Sequence, residues 1–239
     1  ELAGPAGCPA FIVDPVSVDE WDDVARLSGL AGLDRVCLSH ALNTKAVAKR
    51  FAAEAETAYD ALRLVVVHMG SGHSVSAHRE GRMVEVTNSR EEGPFSTERA
   101  GTVPTVRLVQ RVLEEGLSAE SAERMLFREG GIHSYLGTRD LREVEARIDA
   151  GDEEARLVFE AMVYQLRKSV GAMAAVLDGD VDAVLLTGGL ARSERLVGVL
   201  SARLAWVAPV HVYAGEDELA ALAAGATRVL EGTEEALRY

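Results

Sequence analysis

The sequence predicts an α/β protein built on a mixed β-sheet. Three strand-like runs follow one another at residues 62–89 and are joined by turn residues, which is typical of an antiparallel meander. Beyond them, helical patterns alternate with two more strand-like runs at 182–187 and 206–213. The predicted order is therefore βββ-α-β-α-β-α, with additional helices inserted.

The segment before the meander is predicted to contain one strand and two helices. Ala10–Val16 is an apolar run typical of a strand, and polar helical patterns follow at Asp19–Leu27 and Ser39–Ala55. Because this strand precedes the meander, we expect residues 1–61 to belong to a second domain or to the joint between domains. Residues 62–239 are then expected to form one α/β domain.

Helical periodicity dominates the middle of the chain and the region after the fourth strand. Its apolar positions recur at intervals of three and four residues, and Gly130-Gly131 interrupts the pattern. We expect the helices at about 104–150 to be an insertion, and the longest helix to pack on the sheet, a homo-oligomer interface being the alternative. The predicted helices are Thr105–Glu115, Ser118–Arg128, Arg139–Asp149, Asp152–Leu177, Arg192–Leu204 and Glu216–Leu230.

Composition excludes several classes of protein. The 239 residues carry a formal net charge of −13, which argues against nucleic-acid binding through phosphate contacts. Two cysteines without metal-ligand spacing argue against a disulfide framework or a zinc site. No apolar run is long enough for a membrane span, so a cytoplasmic protein is expected. The chain opens without Met, and we expect Glu1 to be an internal position of a longer protein.

Two glycine-containing turns are candidate ligand sites. Gly188 and Gly189 follow a buried strand and precede a helix, an arrangement that brings backbone N–H groups close to phosphates. On this evidence alone, simple turn geometry is an equal alternative. His68 follows another buried strand and precedes a Gly-Ser-Gly turn. By spacing alone, a buried histidine bonded to the backbone is the commoner explanation.

Seven ordered blocks resemble one family. They are PAFIVDPVSVDE, HALNTKAVAKR, HMGSGHSVSAH, EEGPFSTERAGTVP, YLGTRDLREVE, LLTGGLARS and YAGEDELAALAAGATRVLEG. Their order resembles the acetate and sugar kinase, Hsp70 and actin superfamily, and within it the butyrate kinases of the acetokinase family. The resemblance implies an actin-like ATPase (ribonuclease H-like) domain that transfers a phosphoryl group reversibly from ATP to butanoate, with Mg²⁺, giving butanoyl phosphate and ADP.

Two alternatives stay open beside this resemblance. One is a kinase for branched-chain or other short-chain fatty acids such as 2-methylpropanoate, propanoate or acetate. The other is a non-catalytic ATP-binding fragment, because the family's N-terminal phosphate-binding loop has no counterpart here. Residues 1–239 alone are therefore expected to be inactive. The sequence also departs from the family at Ser39, where Phe is usual, at Thr97, where Pro is usual, and at Ile132-His133.

The resemblance implies three catalytic residues. His68 would hydrogen-bond the transferred phosphoryl group, and Arg142 would grip its oxygens, with an ordinary surface salt bridge as the plainer alternative. Arg139 is a weaker candidate for the same role. Asp14 would organise metal, arginine or water, since an ionised carboxylate substrate leaves little for a base to remove. A turn or capping role is the alternative for Asp14.

Nucleotide and metal contacts are implied in the same way. The predicted phosphate and nucleotide contacts are Gly70, Ser71, Gly72, Gly188, Gly189, Ala191 and Arg192. Among the acidic residues 216–218, Glu218 is the preferred Mg²⁺ ligand, and complementing the helix dipole is the alternative. His40, Asn43 and Arg99 are candidates of second rank.

Overall fold

The computed structural model describes residues 3–236, which contain a five-stranded mixed sheet. The strands are β1 (Leu64–Met69), β2 (His73–Arg79), β3 (Arg82–Val86), β4 (Ala183–Gly188) and β5 (Val210–Ala214). Their spatial order is β3-β2-β1-β4-β5, with antiparallel pairing from β3 to β1 and parallel pairing from β1 to β5. The meander and the mixed α/β sheet predicted from the sequence are confirmed.

The parallel half of the sheet brings three strand ends to one edge. Its register pairs His68 of β1 with Thr187 of β4, and Gly188 with Ala214 of β5. Turns containing glycine follow all three strands at this edge. In open α/β sheets, ligands bind at the carboxyl ends of the strands, so this edge is the first place to look for a site.

The ends of the observed helices agree with those predicted from the sequence to within a few residues, with two exceptions. The helix predicted at Asp19–Leu27 is a single turn at Asp23–Arg26. The short helix Gly131–Leu136 was not predicted, because Gly130-Gly131 indicated a break in the helical pattern. Among residues 3–236, no helix combines the length and hydropathy that crossing a bilayer requires. The helices are α1 (Ala3–Ala6), α2 (Asp23–Arg26), α3 (Ala41–Glu54), α4 (Thr105–Glu114), α5 (Ala119–Phe127), α6 (Gly131–Leu136), α7 (Leu141–Asp149), α8 (Glu153–Val176), α9 (Glu194–Leu204) and α10 (Glu218–Leu230).

The predicted strand at Ala10–Val16 is wrong. This segment is irregular and pairs with no strand of the described residues, and Asp14 has a positive φ of 39°. A strand needs a neighbour for its N–H and C=O groups, and apolar composition alone does not supply one. Ile12 and Val16 are 74% and 63% exposed, so the apolar run lies outside the core. The position of Glu1 falls outside the described residues.

Ion pairs made by Lys45 and Arg35 anchor the irregular residues before α3 to α3 and β3. The ammonium of Lys45, on α3, lies 2.9 Å from Asp14 Oδ1 and 2.6 Å from Glu20 Oε1. Arg35 Nη2 lies 2.7 Å from Glu85 Oε1 of β3. These three pairs are largely buried, where removing one partner leaves an uncompensated charge. They hold the segment in place without regular secondary structure.

Helices cover both faces of the sheet. α8 packs its apolar side against the face formed by Val65, Val67 and Val184, in the largest hydrophobic cluster. α3 covers the opposite face through Val47 and Ala48. Since the side chains of a strand alternate between faces, His68 lies on the α3 face with Leu64 and Val66. The core thereby places the N-terminal part of α3 beside the carboxyl end of β1.

Gly188 allows β4 to approach the backbone of β1 closely. Its φ is +91°, and a Cβ there would collide with the carbonyl oxygen of Met69. Gly189, by contrast, has open space around its missing side chain. The two adjacent glycines therefore have different structural roles.

We predict that Gly188→Ala lowers the free energy of unfolding by at least about 2 kcal/mol, because it adds both backbone strain and a collision. Gly189→Ala is the matched control and should change stability by less than about 0.5 kcal/mol. Urea unfolding of both variants measures the difference. Equal stability of the two would contradict the close approach.

Three histidines with lowered pKa values make stability depend on pH. Burial, as the largest cause, lowers the pKa of His40, His73 and His78 to about 3 in each case. In the unfolded chain each regains a pKa near about 6.5 and binds a proton below it. As the pH falls below that value, the unfolded state binds more protons than the folded state, and the folded state loses stability.

We predict that lowering the pH from 7.5 to 5.5 reduces the free energy of unfolding by about 1.4 kcal/mol for each of these histidines. His73→Leu should remove about a third of this loss, whereas His211→Leu, at an exposed position, should leave it unchanged. Urea unfolding at the two pH values is the measurement. An equal pH dependence in wild type and His73→Leu would refute the assignment.

Candidate active site

His68 is the centre of a buried polar cluster at the end of β1. The residue is 2% exposed, and its ring lies between Asn43 of α3 and Glu216, which follows β5. Its Nδ1 atom is 2.9 Å from Asn43 Oδ1, and its Nε2 atom is 3.3 Å from Glu216 Oε1. The hydrogen bond with His68 holds the pKa of Glu216 below its ordinary value. Side chains from two distant segments thus contact both ring nitrogens.

A second histidine stacks on the first. The rings of His40 and His68 are 3.8 Å apart between centroids and 7° from parallel. His40 Nδ1 lies 3.0 Å from the hydroxyl of Ser74 on β2. Burial, assisted by the nearby charges of His68 and Arg99, lowers the pKa of His40 to about 3, so His40 is a neutral ring near pH 7. It packs against His68 without adding a positive charge.

The turn after β1, Gly70–Gly72, lies against His68 at its first glycine and against Arg99 at its last. A Cβ on Gly70 would lie 3.3 Å from His68 Nε2, and one on Gly72 would lie 2.5 Å from Arg99 Nη1. The carbonyl of Ser71 accepts a hydrogen bond from the hydroxyl of Ser96. The absent side chains of Gly70 and Gly72 allow His68 and Arg99 to lie close to the backbone of this turn.

Arg99 is a half-buried cation without a carboxylate partner. Its Nη1 atom donates to the carbonyl and hydroxyl oxygens of Ser89, at 3.0 and 3.2 Å. Among residues 3–236, no carboxylate lies within 4.0 Å of its guanidinium, and neighbouring Glu98 pairs with Arg139 instead. Burial lowers the pKa of Arg99. Together with His40 it lines a cleft of about 990 Å³. A buried guanidinium in this setting is suited to an anionic ligand.

The turn after β4 lies beside this cluster. Thr187, paired with His68 across the sheet, is fully buried, and its hydroxyl oxygen is 3.1 Å from Asn43 Oδ1 and 3.2 Å from the Gly215 carbonyl. Gly188 and Gly215 exchange two backbone hydrogen bonds, of 2.9 and 3.2 Å. The turn at Gly188 and the start of the last helical segment are therefore held together next to His68.

The other predicted nucleotide contacts separate into a buried and an exposed group. Ala191 is buried in the main core, so only its backbone is available to a ligand. Arg192 lies with Gly215 and Glu216 in a second cleft of about 910 Å³, and a Cβ on Gly215 would be 2.8 Å from its Nη2 atom. Gly189 begins a single 3₁₀ turn that ends at Arg192.

The three acidic residues before α10 have different surroundings. Glu216 faces His68, Asp217 caps the helix by accepting from the Ala220 amide, and Glu218 is exposed in the first turn. Among the described residues there is no group of three or more side chains suited to enclosing a metal ion. A metal here would take most ligands from its substrate and water, as Mg²⁺ does with phosphates.

Arg142 and Asp14 form ion pairs with residues outside the His68 cluster. The Arg142 side chain is 89% exposed and pairs with Asp140 at the start of α7. Asp14 pairs with Lys45. Their proposed roles remain predictions from the resemblance. The contacts that bring Glu216 and Thr187 to the His68 cluster were missed from sequence, where the only signal was a threonine directly before Gly-Gly.

Comparisons with known proteins identify the family of the chain. The acetokinase family profile matches residues 35–215. The chain is 46% identical over 240 residues to a probable butyrate kinase of Enterococcus faecalis, covering 100% of this chain and 67% of that protein. It is 49% identical over 232 residues to a probable butyrate kinase of Clostridium botulinum, covering 97% of this chain and 65% of the relative.

Solved structures share the fold. The acetate kinase of Porphyromonas gingivalis superposes with a TM-score of 0.82 at 23% identity, covering 91% of this chain and 63% of that one. For the acetate kinase of Entamoeba histolytica the TM-score is 0.78 at 13% identity, covering 89% and 62%. The chain spans about two thirds of the length of these relatives. By the match of the family profile and the identity to its relatives, the chain belongs to the acetokinase family.

Proposed function

We propose that the protein is a carboxylate kinase that transfers the γ-phosphoryl group of ATP reversibly to butanoate. One observation carries this proposal: His68 and Arg99, which has no carboxylate partner within residues 3–236, both lie against the backbone of the Gly70–Gly72 turn. The names of the relatives support the substrate, since both are probable butyrate kinases. Because the chain spans only part of their length, the proposed activity belongs to the complete protein.

The chemistry requires positioning more than covalent help. A carboxylate oxygen of butanoate forms a bond to the γ-phosphorus while the bond from phosphorus to the β,γ-bridging oxygen breaks, and ADP leaves with that electron pair. The acid is already ionised near pH 7, so no residue has to remove a proton. His68 and Arg99 donate hydrogen bonds to the equatorial oxygens, where negative charge is spread in the transition state.

Nucleotide binding is assigned to the neighbouring turns. The backbone at Gly188 and Gly189 and the guanidinium of Arg192 border the edge of the sheet beside Glu216. Exposed N–H groups of a glycine turn suit phosphate oxygens, and Arg192 adds a charge. Gly70, Ser71 and Gly72 would contact the transferred group from the β1 side.

The residues present are compatible with Mg²⁺. Glu216 offers a partly exposed carboxylate beside His68, which fits an ion held by one carboxylate together with phosphate oxygens and water. Glu218, favoured by the family pattern, lies two residues further along and is exposed at the start of α10. When bound, Mg²⁺ would neutralise charge on the β- and γ-phosphates. Asp14 keeps its predicted organising role, with its carboxylate held by Lys45.

Between the two candidate arginines, the geometry favours Arg99 for the phosphoryl group. Arg142 and Glu145 lie one turn apart on α7, and Glu145 accepts a hydrogen bond from Ser193, just after the Gly188–Arg192 turn. Arg142 is therefore near the nucleotide side and is solvated. Arg99 is half-buried beside Gly72 and His40.

We predict that His68→Ala and Arg99→Ala lower kcat by about 10²–10³ in the complete protein, since each removes a donor used mainly in the transition state. Arg142→Ala is the matched control among arginines and should change kcat much less. Acyl phosphate trapped as the hydroxamate measures turnover. If Arg142→Ala has the large effect and Arg99→Ala the small one, the two assignments must be exchanged.

The preferred acid is expected to be larger than acetate. Burying each additional CH₂ contributes roughly 0.8 kcal/mol, a factor of several in kcat/KM. We predict that butanoate and 2-methylpropanoate are better substrates than acetate in the same assay. Propanoate should be intermediate. Acetate used as well as butanoate would instead assign the protein to the acetate kinases.

A further inference from the structure

Two clefts border the cluster around His68. The first cleft, of about 990 Å³, is lined by His40 and Arg99, and the His40 ring stacks on that of His68. The second cleft, of about 910 Å³, is lined by Asn43 and Glu216, which contact the two ring nitrogens of His68. A group held at His68 therefore has a cleft on each of two sides.

Phosphoryl transfer assigns one reactant to each cleft. The attacking and leaving oxygens lie roughly in line, on opposite sides of the phosphorus. The nucleotide is assigned above to Gly188, Gly189 and Arg192, and Arg192 lines the second cleft. The acid then approaches from the first cleft, with its carboxylate toward Arg99 and its hydrocarbon chain directed away from the phosphoryl group.

The volume of the first cleft does not by itself select a short acid. About 990 Å³ is in the range of pockets that hold drug-sized ligands, so a four-carbon acid occupies only the part nearest Arg99. Apolar side chains in that part decide how much each CH₂ of the acid contributes to binding. Among residues 3–236, the apolar residues that line this cleft are Val16, Leu38 and Phe127.

Hydrogen bonds place Leu38 at the Arg99 end of the cleft. The amide of Ser89 donates to the Leu38 carbonyl at 3.2 Å. The carbonyl and hydroxyl oxygens of the same serine accept from Arg99 Nη1, at 3.0 and 3.2 Å. The ring of Phe127, by contrast, lies under the guanidinium of Arg90, whose Cζ is 4.9 Å from the ring centroid. Ser89 thus joins Leu38 to the cation that faces the acid.

The burial pattern of residues 37–40 indicates which way Leu38 points. Cys37 and Ser39 are 4% and 3% exposed, and Ser39 Oγ lies 3.8 Å from Sδ of Met83 in a separate apolar cluster. Leu38 and His40 alternate with them, are half-buried and line the first cleft. The Leu38 side chain therefore lies on the same side of this segment as His40.

We propose that Leu38 is a specificity-determining residue that contacts the hydrocarbon chain of the acid. Its side chain offers apolar surface to the CH₂ and CH₃ groups beyond the carboxylate, and each buried CH₂ contributes a factor of about four in kcat/KM. Acetate, which has no CH₂, gains least from this contact. Leu38 therefore acts on the preference among acids and leaves the transfer step to His68 and Arg99. This inference rests on the proposed function.

Leu38→Ala in the complete protein tests the contact, through kcat/KM for acetate, propanoate, butanoate and pentanoate in the hydroxamate assay. We expect the ratio of kcat/KM for butanoate to that for acetate to fall about tenfold, because two CH₂ groups lose their apolar neighbour. The value for acetate and the KM for ATP should stay within about twofold. Leu38→Phe, which adds volume beside Arg99, should lower kcat/KM for butanoate and pentanoate at least tenfold and retain that for acetate.

Val36→Ala is the matched control. Val36 is 53% exposed, lies two residues before Leu38 and is outside the residues that line the cleft, so its variant should keep the wild-type ratio. Thermal unfolding identifies any variant that fails to fold. In that case Leu38→Val, which removes one CH₂, replaces it and should lower the ratio about threefold.

The possible failures are distinguishable. An active wild type whose ratio is unchanged in the Leu38 variants would overturn the inference and leave the kinase activity intact. A ratio that falls only in Phe127→Ala or Val16→Ala would assign chain-length selection to that residue and also overturn it. A raised KM for ATP with an unchanged ratio would place the nucleotide in the first cleft. A wild type inactive on all four acids would remove the proposed function together with the inference.

Discussion

The parallel pairing of β1 with β4 is the constraint on which the site depends. Its register places His68 beside Thr187 on the α3 face of the sheet. Strand side chains alternate, so a slip of one residue would move His68 into the apolar core under α8 and bring Val67 or Met69 to the site. The large cluster under α8 makes such a slip costly. Packing of the apolar core under α8 thus fixes the position of the polar cluster around His68 on the opposite face of the sheet.

Charge is distributed sparingly around this cluster. In a chain of net charge −13, Arg99 is held by the oxygens of Ser89 and not by a carboxylate, which leaves its positive charge available. His40 stays neutral because burial lowers its pKa to about 3. An anionic ligand at this site would therefore be attracted by a few local donors, against the negative field of the whole protein.

Periodicity and glycine turns were sufficient to predict the meander, the strand β4 and the long helix α8, because each buries a regular apolar pattern. The same reasoning failed at Ala10–Val16, since pairing depends on a neighbour that a local pattern does not contain. Burial separates Arg99 from Arg142, and sequence does not record burial. Likewise, the side-chain contact of Glu216 with His68 depends on where β5 ends and α10 begins. Thr187 was missed because threonine is ordinary in a strand.

We propose that the edge of the sheet at His68 transfers a phosphoryl group. The most direct measurement is the reverse reaction: ATP formed from ADP, Mg²⁺ and butanoyl phosphate by the protein purified from its complete reading frame, followed by luciferase luminescence. The account predicts ATP formation by the wild type and a loss of about 10²–10³ in rate for His68→Ala. Equal rates for the two proteins, or no ATP from butanoyl phosphate or any other short-chain acyl phosphate, would contradict it.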